Sequence, residues 1–252
     1  MSQLDQKVAV VTGAASGIGR AIAKAFAREG AALMLVDKST EGIADVARQI
    51  AVGETDVVHR VADVSKPEDV ASMMKQAVEH FERIDIFVSA AGVSGKRSNI
   101  VEMELDEWDR MLRNNLTSVF LCGRAAAQHM TEHGGGSIIN ITSQLSEVST
   151  RDYCHYSTAK AGAAMLTKGM ALDLADKHVR VNAIGPGPTD TGMTQYRSPE
   201  NQARREFVEA RVPMGRWAEP DEIAGAAVYL ASDAASFVTG ATIMVDGGYL
   251  TT

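Results

Sequence analysis

The chain has 252 residues, 45% of them hydrophobic and 23% charged, with a formal net charge of −7. That length suits one large α/β domain with a well-buried core, and the negative balance disfavours a nucleic-acid or anionic-membrane partner. Two cysteines, Cys122 and Cys154, make no disulfide framework and fit a reducing cytoplasm, and no run reads as a signal peptide or a membrane span.

KVAVVT (7–12) reads as a first strand stopped by glycine, and Gly17–Glu29 follows with Ile18, Ile22, Ala25 and Phe26 at helical spacing. The turn between them, TGAASGIG (12–19), offers Gly13, Ser16, Gly17, Ile18 and Gly19 where a strand meets a helix. Glycine permits a tight turn and close backbone approach, and the free N–H groups and positive dipole end of the helix suit a pyrophosphate. ALMLVD (32–37) is the second strand, closed by Asp37, 18 residues after Gly19. A carboxylate there can accept both adenosine-ribose hydroxyls and repels a 2′-phosphate, which points to NAD(H) over NADP(H). Lys38 is a counter-signal.

A helical stretch from Glu41 to Ile50 leads to a third strand, TDVVHRVADV (55–64), whose end places Asp63 and Val64 at the adenine edge. Capping the next turn is the alternative for Asp63. Pro67 opens a helix to about Phe81. IDIFVSAAG (84–92) is the fourth strand, and Ala90, Ala91 and Gly92 at its end leave room for a flat ring or a ribose, or else reflect tight packing. A long helix is expected over Leu105–His129. His129 and His133 have no third ligand at suitable spacing and read as a helix terminus, so no metal site is expected.

GGG (134–136) precedes the fifth strand, SIINIT (137–142), with Ser143 at its end. The next helix starts near Tyr153–Tyr156 and runs to about Lys177, followed by strand VRVNAI (179–184) and GPGP. Segment 189–219 is polar and irregular, with a short helix near Asn201–Ala210, and is expected to be a substrate lid. Pro220–Ala231 is the last helix and ATIMVDGG (241–248) the seventh strand. Apolar strands alternating with helices predict a single α/β domain over 1–252: a doubly wound, Rossmann-type, parallel seven-stranded sheet with helices on both faces. Its ligand site lies beyond the carboxyl ends of the strands.

In YCHYSTAK (153–160), Tyr156 and Lys160 are four apart and share a helix face. Tyr153 is seven residues before Lys160, about 10 Å along the axis. Only Tyr156 is therefore expected to feel the ammonium, which would favour its phenolate and, with an oxidised nicotinamide, bring it toward neutral pH. Cys154 reads as a packed small side chain. Ala161, Ala164, Met165 and Leu172 form an apolar stripe suited to core or subunit interface.

Together, TGAASGIG, DV (63–64), SAAG (89–92), NNL (114–116), SIINITS (137–143), YSTAK (156–160), NAIGPG (182–187) and ATIMVDGG (241–248) resemble a short-chain dehydrogenase/reductase of the classical type, end to end. The resemblance implies a catalytic tetrad of Ser143, Tyr156, Lys160 and Asn115. In it Tyr156 carries the proton, Lys160 depresses its pKa and holds the nicotinamide ribose, Ser143 positions the substrate oxygen, and Asn115 holds a water linking Lys160 to solvent. Read without the resemblance, Asn115 is a polar residue at a helix bend. The resemblance also implies that Pro186 and Gly187 shape a nicotinamide pocket, that Thr189 and Thr191 reach the carboxamide and phosphates, and that the protein is a homotetramer or dimer. One departure stands out: Ser89 and Ala90 replace two asparagines of the family's Asn-Asn-Ala-Gly, which puts a brace of the sheet in doubt.

The expected function is an NAD(H)-dependent interconversion of a secondary alcohol and a ketone. The mixed polarity of Gln144, Glu147, Arg151 and His155 near the chemistry, with Met193, Tyr196, Arg197, Arg204, Arg205 and Trp217 in the lid, permits a sugar, a polyol or a hydroxy acid and does not exclude an apolar ketone; a sugar, polyol or small keto compound is the expected substrate. A 3-oxoacyl-thioester reductase and a non-catalytic dinucleotide-binding module are the alternatives. A methyltransferase on a similar sheet would have no use for Tyr156 and Lys160.

Overall fold

The computed structural model of the protein describes residues 2–53, 55–194 and 202–251. Seven strands, β1 Val8–Thr12, β2 Ala32–Asp37, β3 Val57–Val61, β4 Ile86–Ser89, β5 Gly136–Ile141, β6 Val179–Pro186 and β7 Thr242–Val245, form one sheet. The order is β3-β2-β1-β4-β5-β6-β7, and every neighbouring pair is parallel. The expected fold class is the one observed.

Strand periodicity builds two cores at once. Alternate residues point to opposite faces. Ala9 and Val11, Leu33 and Leu35, and Ile139 and Ile141 join one cluster with α1 (Gly17–Arg28), α2 (Thr40–Ala51) and α8 (Pro220–Ala231). Val10, Met34, Val36 and Ile138 join the other with α3 (Pro67–Phe81), α5 (Ser118–Glu132) and part of α6 (Cys154–Leu174). Both faces are covered, so the strands carry apolar residues at nearly every position.

β1 and β4 are neighbours in the sheet but not in the chain, so the connections diverge between them. The crevice beyond their carboxyl ends is the switch point of a doubly wound sheet. Thr12 pairs in register with Ser89, which sets Gly13 and Ala90 on the two lips of that crevice.

Several elements differ from the sequence expectation. The third strand stops at Val61, because Asp63 is drawn into a turn in which its carboxylate accepts the backbone N–H and hydroxyl of Ser65. The long helix is broken: α4 (Leu105–Leu112) and α5 are joined by a wider turn, Arg113–Thr117, with i→i+5 bonding. The two ends of segment 189–219 are bridged to each other, Thr189 to Ala218, and the amides of Asp190 and Ala218 bond the carbonyls of Ala218 and Pro188. Its short helix is α7 (Gln202–Glu209). Tyr196, Arg197, Asn201 and the side chain of Arg204 lie outside the described residues. The stripe on α6 divides: Ala164 is core, while Ala161, Met165 and Leu172 are exposed.

Candidate active site

A cavity of about 500 Å³ opens along the carboxyl ends of the strands. Its lining includes every residue expected to touch a cofactor, from Gly13 to Thr191, and all four expected for the chemistry.

The glycine turn is built around an absent side chain. Gly13 has φ +68°, and a Cβ there would stand 2.7 Å from the amide nitrogen of Ala91. A Cβ on Gly19 would stand 2.2 Å from the Gly13 carbonyl oxygen. Ser16 begins α1 without capping it through its side chain, so the first amides of the helix remain available on that side. Asp37 accepts the backbone N–H groups of Ala15 (3.1 Å) and Ser39 (2.9 Å), one on each carboxylate oxygen. Each oxygen retains acceptor capacity toward the cavity. Asp63 lies next along the rim. Burial alone would raise its carboxyl, but the two Ser65 hydrogen bonds, with Lys66 and Lys38 nearby, hold it below the usual range. Cradle, helix terminus and acidic rim fit the pyrophosphate and adenosine half of a dinucleotide.

At β4, Thr12 supplies the brace that the missing asparagines put in doubt. Its hydroxyl accepts the amides of Ala90 (3.1 Å) and Ala91 (3.2 Å) and donates to the Val88 carbonyl (3.2 Å). Asn115 braces the next step. Wholly buried in the wide turn, its side chain accepts the Val93 N–H (3.1 Å) and donates to the Val93 carbonyl (3.1 Å) and to Met111. The side-chain amide is thus committed to Val93 and Met111 at the bend, while Asn115 also lines the cavity.

Ser143, Tyr156 and Lys160 converge across the β5–α6 junction. The Ser143 hydroxyl accepts the Leu145 N–H (3.1 Å) and hydrogen-bonds the Tyr156 hydroxyl. Lys160, buried, donates to the Ile141 carbonyl at 2.9 Å, and its nitrogen lies 5.8 Å from the Tyr156 ring centroid. Burial lowers Lys160 to about 8. Burial also raises the Tyr156 hydroxyl, Tyr153 adds to that, and the Ser143 hydrogen bond only partly offsets it. The expected depression of Tyr156 by the ammonium is therefore not found in the protein alone: dehydration acts on both partners and favours both neutral forms.

Sequence spacing underrated Tyr153. It caps α6, and its ring stacks on Tyr156 with centroids 5.0 Å apart and planes at 23°. Its hydroxyl accepts the Gly95 N–H (3.3 Å), and the Arg97 guanidinium lies 5.2 Å from its ring. A tyrosine three residues before the helical pair, where the chain turns back into the site, was the signal available. Arg97, Leu145 and Tyr249 also line the cavity unanticipated, whereas Glu147, Arg151 and His155 do not line it. His155 is instead buried behind it, 3.7 Å from Glu107. Gln144, Met193 and Trp217 line it as expected, and Arg205 does not.

Pro186 and Gly187 end β6. The Gly187 amide bonds Val245, and a Cβ on Gly187 would stand 2.5 Å from the Asp246 backbone. Thr189 donates to the Gly187 carbonyl (3.0 Å), and the Thr191 methyl reaches the Gly17 turn. His129 and His133 stack at the end of α5, and among the described residues no group of three or more His, Cys, Asp or Glu could hold a metal ion. No helix among them is long and apolar enough to cross a membrane.

Residues 13–250 match the family model described as enoyl-(acyl carrier protein) reductase. The cis-4-hydroxycyclohexanecarboxylate dehydrogenase of Sinomonas cyclohexanicum is 42% identical over 97% of this chain and 96% of that protein. The D-threitol dehydrogenase of Mycolicibacterium smegmatis is 40% identical over 98% and 94%. A short-chain type dehydrogenase/reductase from Mycobacterium marinum superposes with a TM-score of 0.92 at 34% identity, covering 99% of this chain and 98% of that one. A gluconate 5-dehydrogenase from Burkholderia cenocepacia, solved with NADP and tartrate, superposes with a TM-score of 0.94 at 35% identity, covering 99% and 97%.

Proposed function

The chain belongs to the short-chain dehydrogenase/reductase family and is an oxidoreductase acting on CH–OH groups; from that premise we propose that it uses NAD(H) to interconvert a secondary alcohol and a ketone, with Tyr156 carrying the proton. The observation that carries this reading is the meeting of the Ser143 and Tyr156 hydroxyls beside Lys160, on the wall of the cavity that also holds the glycine turn.

The bound cofactor supplies the hydride acceptor or donor and, when oxidised, a positive charge. The glycine turn and α1 hold its phosphates, Asp37 its adenosine ribose, Asp63 and Val64 the adenine edge, and Ala90, Ala91 and Gly92 give it room. Pro186, Gly187, Thr189 and Thr191 wall the nicotinamide end. The protein's own residues handle the proton. Ser143 accepts the Leu145 N–H, and its one O–H, turned to Tyr156 in the protein alone, would turn to the substrate oxygen when substrate binds between them. Tyr156 takes the alcohol proton in oxidation and returns it in reduction. Its raised pKa in the protein alone keeps the phenol protonated, so a charge at the site is needed to poise it as the base for oxidation. Lys160, tied to Ile141, keeps a proton within reach of the phenol.

Asp37 supports NAD(H), because a second negative charge beside it would be repelled. The lid reading of segment 189–219 rests on its pinned feet and on Met193, Phe207 and Trp217 lining the cavity. Exposed Phe120, Met165 and Leu172 on α5 and α6 support assembly of copies through these helices. The free thiols of Cys122 and Cys154 support a cytoplasmic location.

Absorbance of reduced nicotinamide, followed with a panel of secondary alcohols and with NAD⁺ and NADP⁺ in turn, tests the reading. NAD⁺-linked oxidation of at least one secondary alcohol is expected. Activity confined to reduction of an acetoacetyl thioester would favour the 3-oxoacyl-thioester reductase reading. No turnover of any substrate would favour a nucleotide-binding module.

A further inference from the structure

We propose that Arg97 receives an anionic group of the substrate, so that the protein acts on a carboxylate-bearing secondary alcohol whose carboxylate is several bonds from the carbinol carbon. The inference rests on the oxidoreductase reading above and specifies its substrate class.

Charge along the cavity is unevenly placed. The acids in the lining are Asp37 and Asp63, both at the adenosine end. Around Tyr156 the charged lining residues are Lys160 and Arg97, with no carboxylate among the described lining residues there. Lys160 is buried against β5 and committed to Ile141. Arg97 is exposed and also lines the cavity, which sets it at the mouth.

The Arg97 side chain is held rather than free. One terminal nitrogen donates to the Arg151 carbonyl at 2.8 Å, and the guanidinium lies 5.2 Å from the Tyr153 ring centroid. Its other N–H groups have no hydrogen-bond partner, and no carboxylate pairs with it, among the described residues. A guanidinium offers five N–H donors in a planar fork, and a carboxylate is the ligand that accepts two of them in parallel. Stacking and one anchoring bond fix that fork in advance, which lowers the ordering cost of binding.

Position sets the spacing. Arg97 contacts Tyr153, and it is Tyr153 that stacks on Tyr156. The cation is therefore one ring removed from the reacting hydroxyl, which disfavours a 2-hydroxy acid, whose carboxylate adjoins the carbinol. Leu145, Met193, Phe207 and Trp217 add apolar wall to the same cavity. A hydrocarbon body between the two polar ends suits that wall.

The test compares matched substrates, 4-hydroxycyclohexanecarboxylate and its neutral carboxamide, in wild type, Arg97→Gln and Arg97→Lys. Wild type should favour the carboxylate by ~10- to 100-fold in kcat/KM, the usual worth of a charge-assisted hydrogen bond. Arg97→Gln should bring the ratio near one, chiefly through the KM of the acid, and Arg97→Lys should retain part of it. An equal loss for both substrates would mark a structural role for Arg97 and overturn the proposal, as would a wild type indifferent to the charge. If neither compound is oxidised, the fluorescence of Trp217 in the cavity wall gives an independent readout. Saturable quenching by cyclohexanecarboxylate in wild type but not in Arg97→Gln supports the site while the oxidoreductase reading fails for this series. No difference between the two proteins overturns it.

Discussion

Lys160 on α6 donates a hydrogen bond to the carbonyl of Ile141, the last residue of β5 and two residues before Ser143. The lysine nearest the reacting phenol therefore also ties the helix bearing Tyr156 to the strand bearing Ser143. Its removal has two separable consequences, one for packing and one for charge.

Replacing Lys160 with Met keeps the stem and deletes the donor. The buried Ile141 carbonyl is left without it, at a cost of about 1–3 kcal/mol. The charge consequence is read from pH. Burial lowers Lys160 to about 8, so the side chain is cationic below that pH and neutral above it. An oxidised nicotinamide is also cationic, a reduced one is not. The dissociation constant of NAD⁺ relative to NADH should therefore fall as pH rises through about 8, measured by fluorescence titration, and Lys160→Met should flatten that dependence. A ratio that rises through the same range would contradict the assignment.

Asn115 and Val93 make a second prediction. Asn115→Ala leaves both polar groups of Val93 without their partner. At about 1–3 kcal/mol per orphaned group, a total of about 2–6 kcal/mol is expected in urea denaturation. Asn115→Asp keeps an acceptor for the Val93 N–H but sets a buried carboxylate against the Val93 and Met111 carbonyls, and should be at least as costly as alanine at neutral pH. Wild-type stability in Asn115→Ala would show that the clamp bears no weight.

For Asp37, substitution by Ala removes the carboxylate at the end of β2. Selectivity, as the ratio of kcat/KM for NAD⁺ to that for NADP⁺, should drop by at least ~10-fold, since a lost charge-assisted hydrogen bond is worth about that much. Some stability should go with it, because the amides of Ala15 and Ser39 lose an acceptor. An unchanged ratio would leave Asp37 as a turn residue only.

Much of this site was legible before the fold was known, for reasons that are local. The seven strands announce themselves because a sheet buried on both faces needs runs such as VAVVT and ALMLV. The glycine turn is legible because only glycine fits where a Cβ at Gly13 would strike Ala91. Tyr156 and Lys160 are legible through one turn of helix.

What was not legible depends on groups far apart in the chain. The wide turn at Arg113–Thr117 goes with a side-chain amide pairing with backbone 22 residues earlier. Thr12 replaces the missing asparagine brace through partners 76 to 79 residues away. Tyr153 appeared remote along the helix axis, yet the loop before α6 folds its ring onto Tyr156. Burial, a property of the assembled cavity, raises Tyr156 and lowers Lys160 in the protein alone, and spacing along a helix carries no sign of it.

The most direct test is Tyr156→Phe. The variant keeps the ring that stacks on Tyr153 and removes only the hydroxyl that meets Ser143. Turnover of a competent secondary alcohol should fall by at least ~10²-fold, the lower range for general acid–base catalysis, with dinucleotide affinity unchanged. Turnover close to wild type would contradict the account, because the proton would then have another carrier.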